Sequence, residues 1–218
     1  MRDDELRHHV AAELSWDPQV DSEAIEVSAA RGTITLRGTV ASLQVKRAGA
    51  RAAARVRGVT WVANELRVQI PDADRRCDED LRGDVLEALM LDGSVPMTVD
   101  AQARDGLVTL SGTAQWHHQR EAAEFRTTDV PGVAGIINAI MLTQTPDAHG
   151  ARDAISAAFR RHAALVADGL SVETSSDGLV ILSGTVSSWA GHDHAVAAAW
   201  SARGVTQVDD CIRVENAP

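Results

Sequence analysis

Three stretches of this chain share one pattern: Gly32-Thr33-Ile34-Thr35-Leu36-Arg37-Gly38-Thr39, Gly106-Leu107-Val108-Thr109-Leu110-Ser111-Gly112-Thr113 and Gly178-Leu179-Val180-Ile181-Leu182-Ser183-Gly184-Thr185. Their first glycines are separated by 74 and then 72 residues. Apolar residues recur at every second position, which is typical of a strand with one buried face. Because similarity at a fixed spacing is the signature of a repeated structural unit, we predict three copies of one small domain.

A second feature keeps the same register. Twenty residues after the last glycine of each stretch comes another glycine followed by valine, and then an alternating apolar run: Leu66 and Val68, Ile140 and Leu142, Ile212 and Val214. Glycine adopts backbone conformations that other residues avoid. We therefore interpret the nine recurring glycines as structural: Gly32, Gly38, Gly58, Gly106, Gly112, Gly132, Gly178, Gly184 and Gly204.

Two segments rich in Pro and Asp separate the copies, at residues 71–74 and 145–150. Such residues are typical of loops and linkers. They place the domains at residues 3–70, 77–144 and 150–215. A domain of this size buries only ~60% of the surface that its unfolded chain exposes, so packing against a neighbouring copy would help it.

Each copy is predicted to fold as α-β-β-α-β. The first helix has apolar residues at helical spacing: Leu6, Val10 and Leu14, then Leu81, Val85 and Leu89, then Ile155 and Phe159. The second helix carries small residues on its sheet-facing side and is expected to end at Gly58, Gly132 or Gly204, each as a C′ glycine. The predicted fold class is α+β, with three tandem units that each contain a three-stranded sheet packed by two helices.

These motifs resemble the BON domain, a bacterial module named for osmotically inducible and nodulation proteins. The resemblance rests on Gly-[Leu/Thr]-[Val/Ile]-x-Leu-x-Gly-Thr and on the closing Gly-Val-x-x-[Val/Ile]-x-[Asn/Asp]-x-[Leu/Ile]-x-[Val/Leu], each present three times. Gly135, Asp210 and Arg126 are local departures. The resemblance implies a non-enzymatic binding module associated with phospholipid surfaces, envelope maintenance and osmotic stress. Some relatives are linked to small ligands or ions.

Charge and composition exclude several classes. The chain has 218 residues, with 21 Lys and Arg against 31 Asp and Glu, for a net charge of −10 that argues against nucleic-acid binding. It contains no apolar run long enough for a transmembrane helix. The start Met1-Arg2-Asp3-Asp4-Glu5-Leu6 lacks the features of a secretory signal. We therefore expect a cytoplasmic protein, with peripheral membrane association as an option. Cys77 and Cys211 imply no disulfide framework.

We expect no catalysis, no cofactor and no metal. The chain lacks Gly-x-Ser-x-Gly and the phosphate-binding Gly-x-x-x-x-Gly-Lys-[Ser/Thr]. The histidines are grouped as His8-His9, His117-His118 and His192-Asp193-His194. Adjacent helical side chains diverge, whereas a metal-binding pair on a helix needs a spacing of three or four.

A basic stripe in the first copy is the first candidate binding site. No acidic residue lies between Glu26 and Glu65, and Arg47, Arg51 and Arg55 follow each other at every fourth position, with Lys46 beside them. Such a stripe suits lipid headgroups or other anions. The alternative is that the arginines pair with the acidic second copy, because residues 73–147 hold six basic and 13 acidic residues, net −7.

Trp116 and Trp189 are the second candidate, since each follows a repeated glycine by four or five residues and leads into a second helix. Tryptophan suits the boundary between water and lipid or between two proteins. Two hypotheses follow. In the first, the protein binds a phospholipid surface through Lys46, the three arginines and these tryptophans. In the second, it is a cytosolic scaffold, or a protein that binds a small ligand or ion, without affinity for lipid. Arginines bridged to the second copy would favour the second hypothesis.

Overall fold

A computed structural model describes residues 2–161 and 169–214. Its contacts form two compact units. The first comprises Met1–Gly112 and Glu121–Ile140, and the second comprises Thr113–Arg120 and Met141–Pro218. The first unit thus contains the first repeat and most of the second, and the second unit contains the third repeat with two short pieces of the second.

The first repeat consists of α1 (Asp3–Trp16), β1 (Ile25–Ala30), β2 (Thr33–Val40), α2 (Leu43–Arg55), β3 (Trp61–Asn64) and β4 (Arg67–Val68). Strand β1 is antiparallel to β2, whereas β3 and β4 both pair in parallel with β2. The predicted third strand is therefore present but is interrupted at residues 65–66.

One core cluster joins these elements. Helix α1 buries its predicted stripe, β2 buries alternate residues, and α2 buries small ones: Leu6, Val10, Leu14, Ile34, Leu36, Ala48, Ala52 and Ala53. Because alanine has a short side chain, α2 lies close to the sheet. The hydrophobic effect, at about 25 cal/mol per Å² of buried apolar surface, stabilises this packing.

The second repeat follows the same order. Its elements are α3 (Asp78–Met90), β5 (Asp100–Arg104), β6 (Leu107–Ser111), β7 (Thr113–Ala114), α4 (His117–Thr128), β8 (Gly135–Asn138) and β9 (Met141–Leu142). In the first unit, β6 pairs antiparallel with β5 and parallel with β8. In the second unit, β7 and β9 form a parallel pair.

The third repeat has an uninterrupted last strand. It consists of α5 (Ala148–Arg161), β10 (Ser171–Thr174), β11 (Leu179–Val186), α6 (Trp189–Trp200) and β12 (Gln207–Val214). Strand β11 is antiparallel to β10 and parallel to β12. Ile155 and Phe159 of α5 pack in one core with Ala195 and Ala199 of α6. The α+β class and the threefold α-β-β-α-β architecture are confirmed.

A repeated polar side chain shapes each last strand. Oδ1 of Asn64, Asn138 and Asp210 accepts a hydrogen bond from the backbone N–H two residues further on, at 3.3, 3.3 and 3.1 Å. This contact needs only an acceptor, which is why aspartate can replace asparagine in the third copy. In the first repeat the amide of Asn64 also donates to the carbonyl oxygen of Lys46 at 2.9 Å and ties the strand to α2.

Two helix boundaries differ from the sequence prediction. The second helices end at Arg55, Thr128 and Trp200, three or four residues before the glycines expected to end them. In the first copy Gly58 instead lies in a tight turn that the hydrogen bond from Val59 N–H to Val56 O closes at 3.2 Å. Helix α5 begins at Ala148, inside the predicted linker, because the Asp147 carboxylate accepts from Gly150 N–H at 3.0 Å.

The nine recurring glycines all have positive φ, between 79° and 135°. Gly38 has the largest value, and a Cβ added there would overlap the carbonyl oxygen of Ala24, just before β1. The hairpin turns Arg31-Gly32 and Asp105-Gly106 have positive φ at both central residues, as a two-residue hairpin with a type I′ turn requires.

Candidate binding surface

Arg47 is the centre of a network between the first and second repeats. Its guanidinium forms an ion pair with Glu124 of α4 and donates to the Thr128 hydroxyl at 2.8 Å. Glu124 also accepts from the amide of Asn138 at 3.0 Å, and the Thr128 hydroxyl donates to the Glu124 carbonyl at 2.8 Å. All four residues lie in the first unit and are at least partly buried. Arg47 therefore joins two repeats.

Arg55 is paired within its own repeat. Its Nη2 lies 3.0 Å from Glu13 Oε1 and 3.0 Å from Asp17 Oδ2, both near the end of α1. The hydrogen bond that Arg55 donates to Asp17 lowers the pKa of the Asp17 carboxyl and raises the pKa of Arg55. This arginine fastens α2 to α1.

Lys46 and Arg51 are the remaining members of the predicted stripe. Arg51 is exposed and Lys46 is half-buried. Neither forms a salt bridge within residues 2–161 and 169–214. The structure thus divides the stripe: two arginines are neutralised by carboxylates, and two cations keep their side chains available to anions.

The two candidate tryptophans lie in the second unit and are half-buried. Trp116 immediately precedes α4, where its backbone N–H donates to Gln119 Oε1 at 3.0 Å. Trp189 is the first residue of α6 and meets the His192 ring edge-on, with 4.9 Å between ring centroids. Both rings are already partly covered by their own unit.

His192 is held between two aspartates of the third repeat. Its Nε2 lies 2.7 Å from Asp210 Oδ2 and its Nδ1 lies 3.1 Å from Asp193 Oδ1. Asp210 is the residue that replaces the repeated asparagine. Its Oδ1 accepts from the backbone of Ile212, and its Oδ2 contacts His192. In the described part of the chain, no three His, Cys, Asp or Glu side chains are grouped so as to hold a metal ion.

The structure exposes a further surface that the sequence patterns did not indicate. Met90, Leu91 and Met97 are three of the large apolar residues most open to solvent, and they lie at the end of α3 and in the following loop. In the sequence, Met90 and Leu91 fall outside the buried stripe of Leu81, Val85 and Leu89. This position is the one feature of the sequence that indicates their exposure.

The loop after α3 is anchored by Asp92. Its carboxylate accepts from the Ser94 hydroxyl and backbone N–H at 2.6 and 2.9 Å, and from Arg126 Nε of α4 at 2.6 Å. These hydrogen bonds, that from the Ser94 hydroxyl first and that from Arg126 next, hold the pKa of the Asp92 carboxyl well below its usual range. The ends of α3 and α4 are thereby tied together.

The comparison with models of protein families agrees with this fold. A family model of the BON domain matches residues 2–70, 78–144 and 147–216. The chain therefore belongs to the BON domain family, with three tandem copies, and is a binding module. No curated protein matches it. Within the described residues, no helix has the length and apolar character to cross a bilayer.

Two solved structures of one bacterial protein were also found by structural search. Both are of CdsD, a structural protein of the type III secretion system of Chlamydia trachomatis, one of them its C-terminal domain. That domain is 13% identical, with a TM-score of 0.27 over 99% of this chain and 100% of the other. The second structure is 14% identical, with a TM-score of 0.27 over 98% of this chain and 93% of the other.

Proposed function

We propose that this chain is a non-catalytic scaffold that binds other proteins and does not attach to an anionic membrane surface. The observation that supports it is the pairing of Arg47 with Glu124 of the second repeat. An arginine that joins two repeats holds them together, as a scaffold requires. Its charge is also neutralised by Glu124, so it is not available to a lipid headgroup.

The electrostatic balance favours the same proposal. A basic residue near an anionic membrane contributes on the order of 1 kcal/mol. With Arg47 and Arg55 neutralised, only Lys46 and Arg51 of the stripe contribute, about 2 kcal/mol together. Against this stands a net charge of −10, which repels an anionic surface within the Debye length of about 8 Å.

We include two further statements in the proposal. The absence of enzymatic activity rests on the lack of a catalytic motif in the sequence. A role in the osmotic or envelope stress response rests on membership of the BON family alone. Proteins are preferred to small ligands as partners because several large apolar side chains are exposed at the surface of the second repeat.

Co-sedimentation with vesicles tests the proposal. Purified protein is mixed with anionic or zwitterionic vesicles at low and at physiological salt, beside the double variant Arg47→Glu/Arg51→Glu. We expect the wild type to stay in the supernatant under all four conditions. Salt-sensitive binding to anionic vesicles that the double variant loses would overturn the proposal.

A matched variant controls for charge reversal itself. Arg104 and Arg203 are exposed and lie off the stripe, so Arg104→Glu/Arg203→Glu changes the net charge equally. Thermal melts of both variants verify that they are folded, because Arg47→Glu places a like charge beside Glu124.

A further inference from the structure

A groove lies between α3 and the end of α4 in the first unit. It has a volume of about 510 Å³ and is lined by the second half of α3 with the two residues after it, and by the end of α4 with the chain that follows: Asp84, Glu87, Ala88, Leu91, Asp92, Arg126, Asp129, Val130 and Pro131. Asp84, Glu87, Ala88 and the C-cap residue Leu91 are three or four residues apart, so they form a single stripe. From Asp84 to Leu91 the stripe extends for about 10 Å, roughly two helical turns.

The groove has an apolar surface that its own repeat leaves uncovered. Ala88 is half-buried and Val130 is buried where they line the groove, whereas Leu91 is 81% exposed. Met97, in the loop that follows α3, is 97% exposed. Ala88, Leu91 and Val130 give the groove an apolar lining, and an exposed apolar patch of this kind marks an interaction surface.

The rim of the groove is acidic. Its four carboxylates face a single lining cation, Arg126, which is bound to Asp92 at 2.6 Å. Asp84 has Arg76 at 3.7 Å. Glu87 and Asp129 form no salt bridge among residues 2–161 and 169–214. Negative charge therefore remains on both walls, one carboxylate on α3 and one after α4.

We infer that this groove binds a basic amphipathic helix of a partner protein. The inference rests on the proposed scaffold function and names the partner's chemistry. The apolar face of the helix would lie on Ala88, Leu91 and Val130, and its lysines or arginines would meet Glu87 and Asp129. A helix laid in a groove needs apolar anchors at spacings of three and four, which match the two turns that the groove accommodates.

Charge decides against the other occupants. An anionic bilayer would be repelled by the same carboxylates that attract a basic helix, even though Leu91 and Met97 could enter the lipid. A second copy of this chain would bring a net charge of −10 to an acidic rim. Complementary charge also raises the rate at which such partners meet.

Fluorescence anisotropy with a designed peptide tests the inference on the full chain. The probe is a labelled 14-residue helix of leucine and lysine with leucines on one face, and the matched probe carries glutamate in place of lysine. We expect the lysine peptide to bind, and to bind more weakly as salt rises. Leu91→Ser should weaken binding about tenfold, and Glu87→Gln/Asp129→Asn should weaken it about tenfold at low salt and reduce its salt dependence.

Two variants outside the groove serve as controls. Trp16→Ser removes an apolar side chain that is 84% exposed in the first repeat, and Glu79→Gln removes an exposed carboxylate at the other end of α3. Both should bind the peptide as the wild type does. Equal loss in the controls and in the groove variants would overturn the inference, as would equal binding of the glutamate peptide.

The vesicle assay separates this inference from the proposed function. If vesicles do not bind and the peptide does not bind, the scaffold remains and the groove is not its binding site. If anionic vesicles bind and Leu91→Ser abolishes that binding, the groove is a membrane contact and both proposals fail. If sedimentation velocity shows a dimer that Leu91→Ser dissociates, the occupant is a second copy and the inference is overturned.

Discussion

Gly38 illustrates how a single position holds each repeat together. Its φ is +135°, and an added Cβ would collide with the carbonyl oxygen of Ala24. We expect Gly38→Ala to lower the free energy of unfolding by about 2–3 kcal/mol, through backbone strain and loss of this close approach. Urea denaturation followed by circular dichroism measures it.

For a second glycine, Gly83, we expect alanine to change the free energy of unfolding in the opposite direction. Gly83 lies within α3, and an added Cβ would have no neighbour within 4 Å. Gly83→Ala should therefore raise the free energy of unfolding by about 0.5–1 kcal/mol, because alanine favours the helix. Destabilisation by both substitutions would contradict this account of Gly38.

Asp92 should make stability depend on pH in acid. Hydrogen bonds from the Ser94 hydroxyl and from Arg126 lower its pKa in the folded protein, whereas the unfolded value is about 3.9. A lowered folded pKa contributes stability above the unfolded value, and that contribution is lost as the pH falls through the folded one. We expect Asp92→Asn to reduce the urea midpoint at pH 7, and the difference from wild type to shrink as the pH falls below about 4.

A pH series of urea denaturation curves measures this difference. Asp209 is an exposed aspartate on β12, and Asp209→Asn should show no comparable narrowing. A difference in urea midpoint between Asp92→Asn and wild type that stays constant from pH 7 to pH 3 would contradict this role of Asp92.

At the scale of secondary-structure elements, Arg47 links α2 to α4. Removing it leaves Glu124 and the Thr128 hydroxyl without their partner, and we expect Arg47→Ala to cost about 1 kcal/mol of stability. Arg51 lies one turn further along the same helix and is exposed. Arg51→Ala should change stability by less than about 0.5 kcal/mol, so equal melting temperatures of the two variants would refute the link.

In the second unit, Trp200 links α6 to the start of α4. Its ring stacks on His117 with centroids 3.7 Å apart, and the Arg120 guanidinium lies 5.1 Å from its centre. We expect Trp200→Ala to lower the free energy of unfolding by about 2 kcal/mol through loss of stacking and of the cation–π contact. Thermal melts measure this loss. Trp16→Ala, at an exposed position, should have little effect in the same measurement.

Local patterns predicted the elements better than their partners. The stripes of α1 and α3 follow directly from apolar spacing, and the repeated glycines follow from their fixed register. The pairing of Arg47 with Glu124, 77 residues away, depends on how two copies pack, and the sequence left it as one of two alternatives. The predicted ends of the second helices were wrong because a glycine with positive φ fits a turn after the helix as well as the C′ position. Gly58 lies in such a turn.

The groove shows a further limit. Its lining comes from α3 and the two residues after it, and from the end of α4 and the residues after it, about 40 positions later. A periodicity search within one helix identifies the buried face and says nothing of what borders the other face. The off-stripe position of Leu91 indicates an exposed apolar side chain, but its place in a groove follows only from the three-dimensional position of Val130.

At the scale of the whole molecule, intrinsic fluorescence tests the scaffold proposal independently. Trp116 and Trp189 are half-buried within the second unit, whereas Trp16 and Trp61 are exposed. We expect anionic vesicles to leave the tryptophan emission maximum unchanged at low salt. A blue shift that persists in Trp16→Phe/Trp61→Phe would assign insertion to the other tryptophans and contradict the proposal.

The contacts of Arg47 and Trp200 also restrict how this chain can change through recombination. In the shared glycine register, Glu121 and Asp193 occupy the positions equivalent to Arg47, and Ala54 and Thr128 occupy those equivalent to Trp200. The three copies share a fold, but each carries its own set of joining residues. An unequal crossover that deleted or reordered a copy would keep the repeated motifs and still lose these contacts between the copies, so the structure depends on the order of the copies along the chain.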